Sequence, residues 1–339
     1  MGKHAKTKEK INEKRRGKKK KRTGLKILIF ILVLIAIAGG LFAKRVYDLN
    51  GNWLAALFGH DKHTLEKLDK LYILVMGEST GMSDTIIICS YDPKTQEASM
   101  LSIPRDTFIG KSKANATTSD KINALYNAGA KPEKTLEAVN ELTGLDIKYY
   151  VLVDTEALVE LVDTIGGLEF EVPIDMKYDD YGQDLHIDLK EGWQKLTGDQ
   201  VEQLVRFRHN ANGSTYSYSY GIEDFGRMKT QRAVMVAIAK QTIKLKNIRE
   251  IGNIIDIANK YVETNMDLNM LKDYIPYAVE INTDEIKTEQ LPGEAQYING
   301  ISFFLAEEDE IEEVVQELFL GKPEEKQNTD NSNTVENVL

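Results

Sequence analysis

The chain begins with a long apolar run and then changes to short strands and amphipathic helices. Residues 27–43 contain no charged side chain. From Leu71 onward, short apolar runs alternate with stretches in which apolar residues recur every three or four positions. The runs predict β-strands, and the wider spacing predicts helices. Their alternation predicts one α/β domain with helices on both faces of a sheet.

The predicted sheet is mixed. An apolar run at 71–76 ends at Gly77, and further runs follow at 84–91 and 97–103. Asp92-Pro93-Lys94-Thr95 separates these last two runs and is typical of a turn, so they form a hairpin. Other predicted strands lie at 149–153, 168–172 and 285–291. Residues 174–197 are polar and predict a loop with short strands.

Helices are predicted where the apolar spacing coincides with capping signals. Pro132 suits a first helical turn, and Asp154 is the predicted N-cap of the next helix. The predicted helices cover 121–128, 132–143, 155–165, 200–205, 225–245, 247–261, 267–280 and 306–319. A polar, tyrosine-rich loop at 210–221 is a candidate lid or substrate-contact segment.

Charge separates the amino terminus from the rest, although the whole chain has a net charge of -10. Residues 1–26 carry 13 Lys and Arg against two Glu. The uncharged run at 27–43 is just long enough to span a bilayer, and the positive-inside rule keeps residues 1–26 in the cytoplasm. We expect this basic tail to bind anionic lipids and not nucleic acid. A cleaved signal peptide is the competing interpretation, although the apolar run is long for one.

The predicted organisation has five segments. They are a basic cytoplasmic tail (1–26), a transmembrane helix (27–43), an extracellular stalk (44–68), the α/β domain (69–321) and a disordered acidic and polar tail (322–339). Cys89 is the single cysteine, so no intrachain disulfide can form, and its apolar strand favours core packing over a nucleophilic role. An external domain without disulfides suits a bacterium with one membrane.

Arginine is concentrated in one part of the external domain. Beyond residue 45 there are about 28 basic residues, of which six are arginine. Four of these six lie within 27 residues, namely Arg206, Arg208, Arg227 and Arg232, and Arg105 is a fifth. Arginine presents a planar fork of donors suited to carboxylate or phosphate, so the cluster predicts a site for anionic oxygens. Surface ion pairing in an acidic domain is the alternative.

The spacing of these residues places them on common faces. Arg206 and Arg208 are two residues apart, which puts both on one side of an extended segment. Arg227 and Gln231 are four apart, which puts both on one side of a helix. Glu78 follows the first predicted strand and Asp84 begins the second. In an open α/β sheet such strand ends meet at a ligand crevice. Carboxylates there suit Mg²⁺, and arginines suit the phosphates that Mg²⁺ bridges.

Several motifs in this order resemble the LytR-CpsA-Psr family of membrane-anchored enzymes of Gram-positive envelopes. The resemblance covers about residues 70–245. It is carried by Gly-Glu at 77, Ser-Asp-Thr-Ile at 83, Ser-Ile-Pro-Arg-Asp-Thr at 102, Lys-Ile-Asn-Ala at 121, Leu-Val-Asp-Thr-Ile-Gly-Gly at 161, Arg-Phe-Arg at 206 and Asp-Phe-Gly-Arg-Met-Lys-Thr-Gln at 224.

The resemblance implies a phosphotransferase. Such an enzyme takes a glycopolymer, of the teichoic acid or capsular polysaccharide type, that is linked through pyrophosphate to a polyprenyl lipid. It joins the polymer to the 6-hydroxyl of a muramic acid residue in peptidoglycan as a phosphodiester. The resemblance also implies Mg²⁺ (or Mn²⁺) as cofactor and an apolar tunnel for the lipid tail.

The family's motifs assign roles to matching residues of this chain. Asp84 matches a metal-binding aspartate, and Glu78 stands where the family usually has Asp and is a second possible metal ligand. The residues expected around the pyrophosphate and in catalysis are Arg105, Arg206, Arg208, Arg227 and Gln231. Asp106 and Asp224 are expected to orient arginines, and Asp224 also suits a helix N-cap. The general base is open among Asp84, Asp106 and Asp224.

Met82 departs from the family's pattern, because members usually carry Arg immediately before Ser-Asp-Thr. One phosphate contact is therefore expected from elsewhere, with Lys111, Lys113 and Lys121 as candidates, Lys121 foremost. Two other functions stay open, namely hydrolysis of the lipid pyrophosphate and a non-catalytic role in binding envelope glycolipids or attenuating envelope gene expression. His209 is expected to be an exposed polar residue, neither ligand nor base.

Overall fold

The computed structural model describes residues 31, 34–79, 82–126, 132–244, 250–267 and 270–321. The chain divides into two compact units. One comprises Met1–Leu68 with Lys272–Tyr277, and the other comprises Asp69–Leu271 with Ala278–Leu339. All of the predicted site residues belong to the second unit.

The described residues of the first unit are mostly helical. Residues 34–48 form α1, and α2 (Trp53–Leu57) and α3 (Lys62–Lys67) follow. Hydrogen bonds from side chains to backbone carbonyl oxygens connect segments of this unit. The guanidinium of Arg45 donates to the carbonyl oxygens of Gly59 and His60 at 2.7 and 2.8 Å, and the amide of Asn52 donates to the carbonyl oxygen of Pro276 at 2.9 Å.

The predicted membrane span at 27–43 falls partly outside the described residues, and the basic tail (1–26) and the acidic tail (322–339) fall wholly outside them. Within the part of the chain that the structure describes, no helix is both long and apolar enough to cross a membrane. The span, its orientation and the two tails therefore stay predictions.

A six-stranded mixed sheet is the centre of the second unit. Its strands are β1 (Leu71–Ser79), β2 (Met82–Tyr91), β3 (Ala98–Ser102), β4 (Tyr149–Val153), β9 (Val262–Thr264) and β10 (Lys287–Gln290). They lie in the order β10-β3-β2-β1-β4-β9. β1 runs antiparallel to β2 and parallel to β4, so the prediction of a mixed sheet is confirmed.

Three two-stranded ribbons accompany this sheet. They pair β5 (Leu168–Val172) with β8 (Gly192–Leu196), β6 (Met176–Asp180) with β7 (Leu185–Leu189), and β11 (Gly293–Ile298) with β12 (Ile301–Ala306). The last hairpin was not predicted. Its turn is Asn299-Gly300, with φ of 55° and 78°, and this dipeptide is a strong signal for a two-residue hairpin turn.

The remaining helices agree with most of the predicted ones. They are α4 (Pro132–Thr143), α5 (Thr155–Thr164), α6 (Gly198–Arg206), α7 (Glu223–Thr242), α8 (Ile251–Tyr261), α9 (Leu271–Ala278) and α10 (Glu308–Val315). Asp154 caps α5 as predicted, because its carboxylate accepts the backbone N–H of Ala157 at 2.7 Å.

The predicted helix at 121–128 is wrong. A 3₁₀ turn at Ile122–Leu125 occupies its place, and residues 127 and 128 lie outside the described part of the chain. The backbone N–H groups of Ile122 and Asn123 donate to the carbonyl oxygens of Thr107 and Arg105 at 2.9 and 3.1 Å. These donors are thereby committed to tertiary bonds, and the same bonds hold the backbone that carries Arg105.

The two faces of the sheet have different neighbours. Leu74 and Met76 of β1 are fully buried in a core with residues of α4 and α10. Because side chains alternate along a strand, Val75 faces the opposite side, where residues of α5, α7 and α8 lie across from it. The predicted placement of helices on both faces of the sheet agrees with this arrangement.

Cys89 in β2 is half-buried and belongs to neither core cluster, and desolvation raises the pKa of its thiol to about 12. The thiolate is the reactive form of cysteine, so the native chain should react very slowly with a disulfide reagent at pH 8. Unfolding in guanidinium should restore the reactivity of an ordinary thiol. Rapid stoichiometric reaction of the native chain would contradict the assignment of Cys89 as an unreactive thiol.

Candidate active site

An irregularity between β1 and β2 places Asp84. Gly77 pairs with Thr85 and Glu78 pairs with Ser83, so Asp84 is the extra residue of a β-bulge. A bulge bends its strand and redirects the side chain. A Cβ atom on Gly77 would lie 3.0 Å from the Cβ of Thr85, so the glycine permits the close approach of the strands at this point.

Arg105 forms an ion pair with Asp84. Its Nη1 donates to Oδ1 of Asp84, and the two side chains are only 20% and 19% exposed. Burial disfavours the charge on Arg105, but the carboxylates of Asp224, Asp84 and Asp106 outweigh this effect and raise the pKa of Arg105. The guanidinium therefore stays charged in a half-buried position.

Asp224 holds two more arginines. Its Oδ1 lies 2.7 Å from Nη2 of Arg227 and 3.3 Å from Nε of Arg208. Arg227 is 5% exposed, and burial lowers its pKa against the opposing effect of Asp224. Nη2 of Arg227 also donates to the backbone carbonyl of Asp84 at 3.3 Å, which connects the two groups of ion pairs.

Asp224 is not a helix N-cap, contrary to one prediction. The N-cap of α7 is Ile222, and the helix begins at Glu223. Asp224 therefore lies within the first turn, where its carboxylate contacts arginines and also complements the positive end of the helix dipole. The expectation that Asp224 orients arginines agrees with these contacts.

The tyrosine-rich loop packs against the start of α7. A Cβ on Gly226 would overlap the carbonyl oxygen of Gly221 and the ring of Tyr216, so only glycine fits there. Tyr216 is buried and stacks on Tyr220 with a centroid distance of 5.1 Å, whereas Tyr218 is 90% exposed. Two of the three tyrosines thus fix the loop to the domain next to Arg227.

Arg206 has partners of its own at the end of α6. Nη1 donates to Oε1 of Glu202 at 2.8 Å, and Nη2 donates to Oε1 of Gln183 at 3.1 Å. Phe207, between Arg206 and Arg208, is fully buried in extended backbone. The i, i+4 spacing of Glu202 and Arg206 is a signal that we overlooked in the sequence, whereas no sequence pattern indicates Gln183.

One cavity of about 880 Å³ brings most of the predicted residues together. A volume of this size is typical of a ligand site. The predicted residues in its wall are Glu78, Asp84, Arg105, Arg206, Arg208, Arg227 and Gln231.

The wall of this cavity changes from polar to apolar along α7. Arg227 and Gln231 line it near the start of the helix, and Val234, Met235, Ile238 and Ala239 line it farther along. The last residue of α7 in the wall is Thr242. The cavity therefore follows α7 from Arg227 to Thr242, a distance of about 22 Å at 1.5 Å per residue. The sheet, with Val75 and Val151, and α5, with Leu158, also contribute to the apolar part.

The structure does not place Lys121 and Asp106 in the cavity wall. Nζ of Lys121 lies 2.9 Å from Oδ1 of Asp106 and 5.7 Å from the ring centroid of Phe303. Lys121 therefore neutralises Asp106 beside the site, and Asp106 acts on Arg105 only through its charge. Lys111 and Lys113, the other candidates for the missing phosphate contact, are exposed.

The expectation for His209 is wrong with respect to exposure. His209 is half-buried and lines the cavity beside Arg208. Its ring packs edge-on against Tyr178 with centroids 5.3 Å apart, and its Nδ1 lies 3.1 Å from the carbonyl oxygen of Asn210. Because a carbonyl oxygen only accepts, Nδ1 carries the proton in this contact.

Glu78 and Asp84 are the carboxylates in the wall at the predicted metal position. Oε2 of Glu78 accepts the hydroxyl of Tyr126 at 2.8 Å, and Oδ1 of Asp84 accepts from Arg105. Among the described residues, no group of three or more His, Cys, Asp or Glu is arranged to hold a metal ion. Two carboxylates fit a Mg²⁺ ion that also binds substrate phosphates, which is the usual manner of Mg²⁺ binding.

Comparison with known proteins identifies related chains. The model of the LytR_cpsA_psr family matches residues 3–320. The polyisoprenyl-teichoic acid–peptidoglycan teichoic acid transferase TagU of Bacillus subtilis is 28% identical over 323 residues, which are 91% of this chain and 97% of TagU. Biofilm regulatory protein A of Streptococcus mutans is 27% identical over 316 residues, which are 85% of this chain and 74% of that protein.

The fold is similar to a solved structure. The crystal structure of Bacillus subtilis TagV superposes with a TM-score of 0.61 at 27% sequence identity, and the match covers 76% of this chain and all of that one. The mixed sheet with its helices is therefore a fold that this chain shares with TagV.

Removing the carboxylate of Asp224 should destabilise the domain. Asp224→Ala leaves the buried Arg227 without its nearest counter-charge, so we expect the free energy of unfolding to fall by about 3 kcal/mol. Asp284→Ala is the matched control, because Asp284 pairs with Lys240 at the surface with side chains 76% and 53% exposed. That variant should lose less than about 1 kcal/mol. Equal losses in chemical denaturation would contradict the proposed role of Asp224.

Proposed function

The chain belongs to the LytR_cpsA_psr family, and from this premise we propose that it is a phosphotransferase that attaches a lipid-linked glycopolymer to peptidoglycan. The proposed donor is a glycopolymer joined through pyrophosphate to a polyprenyl lipid, with teichoic acid or capsular polysaccharide as the polymer class. The printed name of the relative TagU, a teichoic acid transferase acting on peptidoglycan, supports this class of reaction.

One observation carries the proposal. One cavity has guanidinium groups near the start of α7 and aliphatic side chains farther along this helix, where Arg227, Val234 and Ile238 share one face. A polyprenyl pyrophosphate has the same division, with a doubly charged head and an apolar tail. The arginines match the head because each presents several N–H donors to phosphate oxygens.

In the proposed reaction, the oxygen of a sugar hydroxyl of peptidoglycan attacks the phosphorus atom that bears the glycopolymer. The bond from this phosphorus to the bridging pyrophosphate oxygen breaks, and polyprenyl phosphate leaves. Charge grows on the bridging oxygen as the bond breaks. Arg105, Arg208 and Arg227 are held in place by Asp84 and Asp224, so these cations need little rearrangement to stabilise that charge.

Arg206 and Gln231 complete the proposed head-group site. The amide of Gln231 donates to the carbonyl oxygen of Val205 at 3.1 Å, which connects α7 to the arginine pair at the end of α6. The family's usual arginine is replaced by Met82, and Lys111, Lys113 and Lys121 do not line the cavity. The proposal therefore assigns the pyrophosphate to the four cavity arginines and Gln231, without a lysine.

Glu78 and Asp84 would hold Mg²⁺ in the proposed complex, with substrate phosphates as further ligands. The ion would supply positive charge that neutralises phosphate oxygens and orients them. Of the three candidate bases, only Asp84 lines the cavity, which supports Asp84 over Asp106 and Asp224 as acceptor of the hydroxyl proton.

We place the domain outside the cell, anchored by the predicted span at 27–43, with the basic tail on anionic lipids inside.

The decisive assay combines the full chain in detergent micelles with a polyprenyl-pyrophosphate-linked saccharide, peptidoglycan oligomers and Mg²⁺. We expect a glycan–peptidoglycan phosphodiester to form. Arg105→Ala and Asp84→Ala should each reduce its rate at least about 100-fold, since removal of one such stabilising group typically has this effect. Lys240→Ala, on the exposed side of α7, should leave the rate unchanged.

Other outcomes would select other functions. Release of lipid phosphate without ligation would make the protein a pyrophosphate hydrolase. Donor binding without turnover, unchanged in Asp84→Ala, would favour a non-catalytic role, and the name of the Streptococcus mutans relative makes this the second candidate.

The lipid assignment is tested by filling the cavity. Ile238→Trp adds bulk to the apolar wall, so it should raise the KM for a long-chain donor at least about tenfold while changing little for a donor with a short tail. Lys240→Trp adds the same bulk on the exposed side of the same helix and should have no effect. Equal kinetics of the two variants with the long-chain donor would remove the tail from this cavity.

A further inference from the structure

The segment at residues 121–126 is hydrogen-bonded to two residues of the candidate site. Within its 3₁₀ turn, the backbone N–H of Asn123 donates to the carbonyl oxygen of Arg105 at 3.1 Å. At the end of the segment, the hydroxyl of Tyr126 lies 2.8 Å from Oε2 of Glu78. The segment therefore connects the backbone of a head-group arginine to the side chain of a proposed metal ligand.

Tyr126 is a rigid hydrogen-bond donor. It is 9% exposed, and it belongs to the same core as Leu74 and Met76 of β1, the strand that carries Glu78. Because an ionised carboxylate accepts and cannot donate, the phenol hydroxyl provides the hydrogen in this contact. A packed ring thus directs its hydroxyl hydrogen at the carboxylate of Glu78.

The orientation of Glu78 depends on this hydrogen bond. Glutamate is among the side chains with the most rotamer freedom to lose, and Glu78 is half-buried near the end of β1. Among the described residues, Tyr126 is the hydrogen-bond partner of its carboxylate, through Oε2. Asp84, the other carboxylate of the predicted metal position, is held instead by Arg105. The two carboxylates therefore have separate supports.

A support of this kind affects the affinity for a metal ion. A carboxylate that is already oriented loses less side-chain entropy when it binds a cation. Hydrogen-bond partners of metal-binding carboxylates orient them, and loss of such a partner typically weakens metal affinity about 10- to 100-fold.

We propose that Tyr126 is a positioning residue that holds the carboxylate of Glu78 in the orientation in which it binds a divalent cation. Tyr126 is not among the residues that line the cavity, so it acts through Glu78 and not on the substrate. The use of the cation in phosphotransfer rests on the proposed function, whereas the effect of Tyr126 on cation affinity does not.

Tyr150 provides a matched control. It is 5% exposed in the same core, and its hydroxyl donates to Oε1 of Glu133 at 3.4 Å. Neither Tyr150 nor Glu133 lines the cavity. Removing this hydroxyl therefore also breaks a bond between a core tyrosine and a glutamate, but the glutamate is not a proposed metal ligand.

The test measures binding of Mn²⁺ to the full chain in detergent micelles, with free Mn²⁺ followed by electron paramagnetic resonance. Glu78→Gln gives the background from other carboxylates. Tyr126→Phe keeps the ring and removes the hydroxyl, so the dissociation constant of the Glu78 site should rise about 10- to 100-fold. Tyr150→Phe should bind Mn²⁺ as the unchanged chain does. Thermal unfolding of both variants establishes that they are folded.

Three binding results would overturn the proposal. They are unchanged Mn²⁺ binding in Tyr126→Phe, equal weakening in Tyr150→Phe, and unchanged binding in Glu78→Gln. The second would mean that any loss of a core hydroxyl loosens the site, and the third would mean that Glu78 is not a ligand.

Transfer kinetics provide the second measurement. In Tyr126→Phe the Mg²⁺ concentration for half-maximal rate should rise by the same factor as the Mn²⁺ dissociation constant, while kcat at saturating Mg²⁺ and the KM for peptidoglycan stay unchanged. A kcat that stays low at saturating Mg²⁺ would indicate a distorted site and overturn the positioning role. Tyr126-dependent Mn²⁺ binding by a chain that catalyses no transfer would support the positioning role and reject the proposed function.

Discussion

The candidate active site depends on holding several guanidinium groups close together in a poorly solvated place. Arg105, Arg208 and Arg227 would repel one another there, and burial opposes the charge on Arg227 in particular. Asp84 and Asp224 offset this cost by pairing with them. These two carboxylates hold the arginines in place, and because three guanidinium groups face only two carboxylates, the cluster keeps a net positive charge that suits an anion.

Local backbone geometry determines the positions of Asp84, Arg105 and Arg227 in this cluster. A bulge in β2 redirects Asp84, and tertiary bonds from the 3₁₀ turn hold the segment with Arg105. A glycine contact brings the tyrosine-rich loop against the start of α7, next to Arg227. Each device departs from regular strand or helix geometry. Such departures are common where a protein orients functional side chains, because regular elements offer few directions.

The sequence predicts much of this architecture, and its failures have identifiable causes. Apolar runs and capping residues are local signals, so the strands around Leu71–Met76 and Tyr149–Val153 and the helix after Asp154 were predictable. A 3₁₀ turn replaces the helix predicted at 121–128, and its first N–H groups pair with residues 105 and 107, contacts between distant segments that no local pattern predicts. The arginines of the cavity were found through their clustering, whereas Gln183 was missed because no local pattern connects it to Arg206. Lys121 was placed with the pyrophosphate ligands, but it lies close to Asp106 and pairs with that carboxylate.

The course of α7 along the cavity has a consequence for the choice of donor. One rigid helix carries both the head-group residues at its start and the aliphatic wall farther along. A helix cannot stretch, so the distance between the two regions is set by its rise per residue. For the proposed donor, α7 therefore fixes the distance between the site for the charged group and the site for the hydrocarbon tail. A molecule whose charged group lies at a different distance from its hydrocarbon chain can satisfy one region or the other, and only a donor of matching spacing brings its phosphorus atom to the arginines while its tail is fully seated.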